Sequence, residues 1–246
     1  MNDHPHVLIL GATGRTGSHT LTQLLERGIP VRAIVRSADR LPAGSAGNPL
    51  LHVVEADLLA LSPEELSEHL AGCDTVISCL GHSISVRGVL GPPHQLVTRA
   101  VRLVRAAVEG REPTEPMHLI LMSSVSVHGP GRSDTRRGRG ERAYLRALGV
   151  VVPPVRDNQH AADVLALDVG PYDPHLQWVV VRPDTLTDDD VAEYRLHDTL
   201  VSSIFKPDRT RMSEVAHFMC ELATDDATWQ RWRGRMPVII DAVPAT

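Results

Sequence analysis

The sequence predicts an α/β fold: a doubly wound parallel sheet with a small C-terminal lobe on the substrate side. Three observations predict it. An apolar run, Val7 to Leu10, enters a glycine-rich turn and then a helical pattern through Leu21, Leu24 and Leu25. Short apolar strands and helical stretches then alternate as far as Pro183. Beyond Pro183 the alternation stops, which divides the chain into a core over 1–183 and a lobe over 184–246 of the same domain.

The turn reads G-A-T-G-R-T-G, Gly11 to Gly17. A strand, a tight turn and a helix N-terminus together make an anion site, because the first helical N–H groups lack partners and the helix dipole favours negative charge. Gly11 allows the turn, Gly14 lets backbone approach a pyrophosphate, and Gly17 lets the helix pack against the sheet. The spacing is G-x-x-G-x-x-G rather than the commoner G-x-G-x-x-G. Val31 to Val35 is the second strand and Leu51 to Val54 the third. Ser62-Pro63-Glu64-Glu65 starts a helix, with Ser62 as N-cap and Glu65 closing a capping box. Thr75 to Leu80 is a fourth strand, ended by Gly81. From Pro92, the positions Leu96, Val97, Ala100, Val101, Val104 and Val108 make an apolar helical stripe. Leu119 to Met122 is the fifth strand and Gln177 to Val181 the sixth. Right-handed crossovers then predict the strand order 3-2-1-4-5-6. The lobe should hold a helix near Glu214 to Ala223, a last strand near Val238 to Ile240, and a core containing Trp229 and Trp232. The loop Gly129 to Arg142, rich in arginine and glycine, follows the fifth strand and reads either as a mobile flap or as a solvated charged loop.

Bulk properties exclude several classes. The chain has 246 residues, 42% hydrophobic content and a formal charge of −5, which suits one α/β domain and gives no reason to expect nucleic acid or an anionic membrane as partner. No apolar run reaches the ~18 residues of a transmembrane helix, and no signal peptide is readable. Cys73, Cys79 and Cys220 are too scattered for a disulfide framework, so a cytoplasmic location is expected, with Cys79 an inert core thiol. Lys206 is the only lysine, and no G-K-[ST] exists, which excludes a P-loop.

The glycine turn, E-A-D-L at Glu55 to Leu58, I-S-C-L-G at Ile77 to Gly81, M-S-S-V-S-V-H-G at Met122 to Gly129 and V-V-V-R-P at Val179 to Pro183 resemble the short-chain dehydrogenase/reductase superfamily, whose core is a Rossmann fold. More narrowly they look like its atypical branch, which includes the flavin and biliverdin reductase type and the nitrogen-regulator type that binds NADP without evident turnover. The W-x-x-W at Trp229 to Trp232 and M-P-V-I-I at Met236 to Ile240 resemble a group of uncharacterised bacterial members.

The resemblance implies a dinucleotide over Gly11, Thr13, Gly14, Arg15, Thr16 and Gly17, reaching Leu58 beside Asp57 and Leu80 beside Gly81. Asp57 would contact adenine, or cap a helix or turn. NAD enzymes end the second strand with an acid for the ribose 2′-hydroxyl. Here the strand ends in Arg36, which offers a bidentate fork to a 2′-phosphate, so NADP(H) is the expected cofactor unless Arg36 is only a solvated strand-end charge. Redox members of the family use Ser, Tyr and Lys. Ser124 fits the serine, but the Tyr-Lys pair is missing: four residues after Tyr144, Tyr172 and Tyr194 stand Leu148, Leu176 and Asp198. The matching helix carries Asn158 and His160 instead. The catalytic set expected is therefore Ser124, Asn158 and His160, with His82 and His128 as lesser proton donors. Asp188-Asp189-Asp190 read as acids ahead of a helix rather than a metal site. The expected function is reduction of a small molecule by NADP(H), with a non-catalytic NADP-binding sensor or regulatory module as the rival and an epimerase-like enzyme as a third reading.

Overall fold

The computed structural model describes residues 6–81, 95–111, 115–129, 134, 138, 140–141, 143–144, 152–203 and 205–242. His82, Pro92 and most of the 129–142 loop lie outside them. In chain order the elements are β1 (Val7–Leu10), α1 (Arg15–Glu26), β2 (Val31–Val35), β3 (Leu51–Glu55), α2 (Pro63–His69), β4 (Thr75–Ser78), α3 (Leu96–Glu109), β5 (Met117–Met122), α4 (Pro153–Asp163), β6 (Leu176–Pro183), β7 (Thr185–Thr187), β8 (Tyr194–His197), β9 (Arg209–Arg211), α5 (Met212–Thr224), α6 (Asp226–Trp232) and β10 (Val238–Asp241). Eight strands form one sheet in the order β3-β2-β1-β4-β5-β6-β10-β8, which contains the expected 3-2-1-4-5-6 and extends it. All its strands run parallel except β8, antiparallel to β10. β7 and β9 pair separately.

Alternation along the strands sends side chains to two cores. Leu8, Val76, Leu119 and Val180 meet α2, α3 and α4 on one face. Val7, Ile9, Ile77 and Val179 meet α1, α5 and α6 on the other. The stripe of α3 is buried at Val97, Ala100, Val101, Val104 and Val108. The capping box of α2 forms as expected: Glu65 N–H donates to Ser62 Oγ at 3.2 Å and Ser62 N–H to Glu65 Oε2 at 2.7 Å. Cys79 is buried, and desolvation pushes its thiol up to about 12, against the opposing effect of its hydrogen-bond contact with Thr20.

The chain after Pro183 is joined to the core sheet through β10, whose Val238 pairs with Arg182 of β6. α5 packs along α1, where Arg27 Nη1 donates to Glu221 at 2.7 Å and Gln23 Nε2 to the Ser213 carbonyl at 3.0 Å. Trp229 and Trp232 are buried in the main core against the sheet, not in a core of a separate lobe. Trp229 stacks on His118 of β5 with centroids 3.8 Å apart, and desolvation lowers that histidine to about 4. Among the described residues no helix is long and apolar enough to cross a membrane.

The start of α5 buries a carboxyl beside a second one. Glu214 is fully buried, and the Arg211 N–H donates to Glu214 Oε2 at 3.3 Å and to Asp241 Oδ1 at 3.2 Å. Burial and the neighbouring Asp241 carboxyl push Glu214 up to about 7, against the Arg211 N–H and charge. A carboxyl raised by folding binds a proton that the unfolded chain releases. Its contribution is full below the unfolded value of 4.5 and is lost as pH rises towards about 7. His118, lowered by folding from 6.5 to about 4, acts in the opposite sense over much of this window, so the test is a difference: in urea unfolding, the stability of wild type relative to Glu214→Gln should fall as pH rises from 4.5 towards 7. Equal slopes in the two proteins would remove Glu214 as the titrating group.

Candidate functional site

Because the strands are parallel, their C-terminal ends share one edge, where ligands settle in open α/β sheets. The glycine turn follows β1, Arg36 follows β2, Asp57 and Leu58 follow β3, Leu80 and Gly81 follow β4, and Ser124 follows β5. The sequence-predicted residues that directly follow a strand thus share one rim, each placed by its strand, whereas Asn158 and His160 lie on α4.

The turn is built by contacts that only glycine tolerates. Gly11 has φ +82, and a Cβ there would stand 2.8 Å from the Cys79 carbonyl oxygen. A Cβ on Gly17 would stand 2.0 Å from the Gly11 carbonyl oxygen, so α1 crosses β1 at backbone contact. Gly14 differs. Its φ is −82, an added Cβ would lie 3.3 Å from the Gly11 oxygen, and the residue is exposed. It is the N-cap of α1, with no side-chain cap and no acid in the first turn. The turn therefore presents bare N–H groups and the positive end of a twelve-residue helix to the rim. These residues fit a dinucleotide phosphate. Thr13 is half-buried, Thr16 is buried and Arg15 is exposed.

Arg36 is exposed at the end of β2. Glu55, paired in register with Val35, accepts from the Ala38 N–H and holds the turn after Arg36. Asp57 caps the short helical turn Leu58–Ala60, accepting from the Leu59 N–H at 3.1 Å. This is the capping alternative expected for Asp57.

The loop after β5 is the best-fixed part of the rim. Ser124 Oγ lies 2.5 Å from Ser126 Oγ and accepts from the Ser126 N–H at 3.3 Å. Three side chains then hold successive residues, two of them distant in sequence and one, Asp134, five residues on. Arg182 Nη1 donates to the Val127 carbonyl at 3.1 Å. Gln159 accepts from the His128 N–H at 2.9 Å and donates to the His128 carbonyl at 3.2 Å. Asp134 accepts from the Gly129 N–H at 2.6 Å. Arg182 and Asp134 in turn form a buried ion pair at 2.6 Å, with side chains 1% and 3% exposed. Arg182 Nε also donates to the Met236 carbonyl, and Asp134 accepts from the Leu200 N–H. Burial works to raise the Asp134 carboxyl, but the Arg182 hydrogen bond and charge and the two backbone N–H groups hold it below its usual value.

Sequence reasoning missed Arg182, Asp134, Gln159 and Asp157. An arginine inside the apolar run V-V-V-R-P was the available signal, since a charge buried in a strand needs a partner. Asp157 is buried and caps α3 from outside, accepting from the Val97 N–H at 2.8 Å and the Thr98 N–H at 3.0 Å. On α4 the side chain that reaches the Ser124 loop is that of Gln159, between the predicted Asn158 and His160. Asn158 is half-buried, and His160 is exposed. The three acids at 188–190 do not precede a helix. They lie in the connection from β7 to β8, where Asp188 faces Arg15 at 3.9 Å and His19 at 3.6 Å.

A family model described as NAD(P)H-binding matches residues 11–226. An uncharacterised chloroplast protein of Arabidopsis thaliana is 34% identical over 73 residues, 30% of this chain, and the match spans 26% of that protein. Among solved structures, the oxidoreductase ylbE of Lactococcus lactis aligns with TM-score 0.68 at 19% identity, covering 98% of this chain and 92% of that one. The anaerobilin reductase ChuY of Escherichia coli O157:H7 aligns with TM-score 0.68 at 19% identity over 98% and 99%. A Rossmann-fold NAD(P)-binding family protein of Shigella flexneri aligns with TM-score 0.65 at 18% identity over 98% and 96%. At these identities the structures speak for the fold.

Gly14→Val should leave a folded protein, since φ −82 is open to any residue and an added Cβ would approach nothing closer than the Gly11 oxygen at 3.3 Å. It should abolish dinucleotide binding by filling the phosphate approach. Retained NADPH binding in a folded variant, by fluorescence titration, would place the nucleotide away from this turn.

Proposed function

The chain belongs to the NAD(P)H-binding family, and on that premise we propose that it is an NADP(H)-dependent reductase of a small molecule that works without a Tyr-Lys pair. The observation that carries the proposal is the Ser124 hydroxyl, coupled to Ser126 on a loop that Arg182, Gln159 and Asp134 hold at the C-terminal edge of the sheet. The bound dinucleotide would supply the hydride. The protein would hold it over the turn Gly11, Thr13, Gly14, Arg15, Thr16 and Gly17, by the free N–H groups at the start of α1. Leu58, Leu80 and Gly81 would line its path, and Asp57 would border the adenine. The exposed guanidinium of Arg36 would take the 2′-phosphate, a preference supported by the lack of an acid at the end of β2. Ser124 would orient the substrate and deliver a proton, with Ser126 relaying it. Asn158 would hold a ribose hydroxyl or a water, and the exposed His160 would exchange protons with solvent. Hydroxyls are weaker acids than a lysine-activated tyrosine, so turnover would be slow.

One set of measurements tests both halves. NADPH should bind more tightly than NADH, and Arg36→Ala should remove the difference, a loss on the order of 1.5–3 kcal/mol for a charge-assisted contact. In a screen of NADPH oxidation with quinones, flavins and carbonyls, Ser124→Ala should lower kcat, while Tyr144→Phe, Tyr172→Phe and Tyr194→Phe should not. Equal wild-type affinities would remove the case for NADP. A tyrosine variant alone losing several orders of magnitude would reveal a displaced tyrosine acid. Tight NADPH binding with no turnover in any assay would replace the reductase by a regulatory NADP-binding module.

A further inference from the structure

The chain carries a carboxylate against the one basic side chain of its own phosphate turn. Arg15 is the first residue of α1 and sits among the N–H groups that face the rim. Its guanidinium Nη2 lies 3.9 Å from Asp188 Oδ2, and Asp188 Oδ1 lies 3.6 Å from His19 Nε2 one turn further along the same helix. The residues on either side of Asp188 are anchored as well. It follows β7 directly, and Thr187 at the end of β7 pairs with Arg211. The Asp189 carbonyl accepts from Ser213 Oγ at 2.6 Å, and the Asp190 carbonyl accepts from Arg211 Nη1 at 3.2 Å. Both anchors belong to the start of α5, which packs on α1. A strap fixed at both ends thus places an acid beside the helix N-terminus, where the dipole and free N–H groups favour an anion.

We propose that Asp188 is an internal competitor of the dinucleotide phosphate. It pairs with Arg15 while the turn is empty and gives Arg15 up when the phosphate of NADP(H) arrives. This rests on the dinucleotide lying over the Gly11–Gly17 turn. The consequence is an affinity set below what the turn alone would give, together with a muted response to salt. Screening weakens the contact of Arg15 with phosphate, but it weakens the competing contact with Asp188 as well. Asp188 also repels the incoming phosphate directly, in the same direction.

The test is NADPH binding by fluorescence titration, with Asp188→Asn, Asp190→Asn, Arg15→Ala and the double variant Arg15→Ala/Asp188→Asn. Asp190 is the control, because it carries the same charge but enters the strap contacts through its carbonyl. At low ionic strength Asp188→Asn should bind NADPH about two- to five-fold more tightly, the range expected for one exposed ion pair. The gain should vanish at about 1 M salt, where the Debye length is about 3 Å. Asp190→Asn should gain less, and in the Arg15→Ala background Asp188→Asn should gain little. An unchanged or weakened affinity for Asp188→Asn overturns the proposal, a weakened one showing that Asp188 positions Arg15 for the phosphate. Equal gains for the two aspartates, or an undiminished gain without Arg15, overturn it as well. Wild type that binds no NADPH sinks the placement of the dinucleotide and this proposal with it, whereas binding by wild type with no change in Asp188→Asn sinks the competitor alone.

Discussion

The architecture depends on the point where α1 crosses β1. The Gly17 Cα lies so close to the Gly11 carbonyl that a methyl group would stand 2.0 Å from its oxygen. That approach fixes where the helix begins relative to the strand end, and so where its free N–H groups point. It also sets the surface on which the C-terminal chain packs. α5 lies along α1 and α6 follows, burying Phe218, Trp229 and Trp232 against the same sheet face as Leu21 and Leu24. A bulkier residue at Gly17 would shift the phosphate site and this whole layer together.

A second constraint shapes the other side of the rim. Arg182 and Asp134 are almost fully desolvated, so their attraction competes with a large cost of leaving water. Breaking such a pair costs ~3–5 kcal/mol, because the remaining charge is stranded, even where a well-packed apolar pair would be as stable. What the pair supplies is geometry. Arg182 binds backbone on the Ser124 loop and before β10 besides Asp134, and Asp134 binds the same loop again and Leu200, so that β6, the Ser124 loop, the 200 segment and the approach to β10 meet at one point. Gln159 adds the contact from α4. A serine on a loop this well held is pre-organised, and pre-organised dipoles are worth more to a reaction than mobile ones.

Local signals were the legible ones. The glycine turn, the S-P-E-E capping box and the apolar stripe of α3 depend on neighbours a few residues apart, and each appears where its pattern predicts. The order 3-2-1-4-5-6 follows from handedness once the strands are recognised. Long-range features left weaker traces. β8 and β10 are four residues each and pair across long separations, so their place in the sheet, where they extend it beyond β6, left little trace in the sequence. Arg182 signals a buried partner but not its identity, because Asp134 stands in a polar, arginine-rich stretch. On α4 the polar run R-D-N-Q-H hides its phase. Asp157 is in register with the buried Ala161 and Leu165, and that period marks it as the inward residue, ahead of Asn158 and His160.

On the proposed reading, one edge of this sheet holds the dinucleotide, with the phosphates on the turn and the reacting end at Ser124. A crystal structure of the protein with NADPH tests it most directly. The account predicts pyrophosphate oxygens within hydrogen-bonding distance of the N–H groups at the start of α1, the 2′-phosphate against Arg36, and the nicotinamide beside the Ser124 hydroxyl. A dinucleotide bound on another surface, or a nicotinamide remote from the loop that Arg182, Asp134 and Gln159 hold in place, would contradict it.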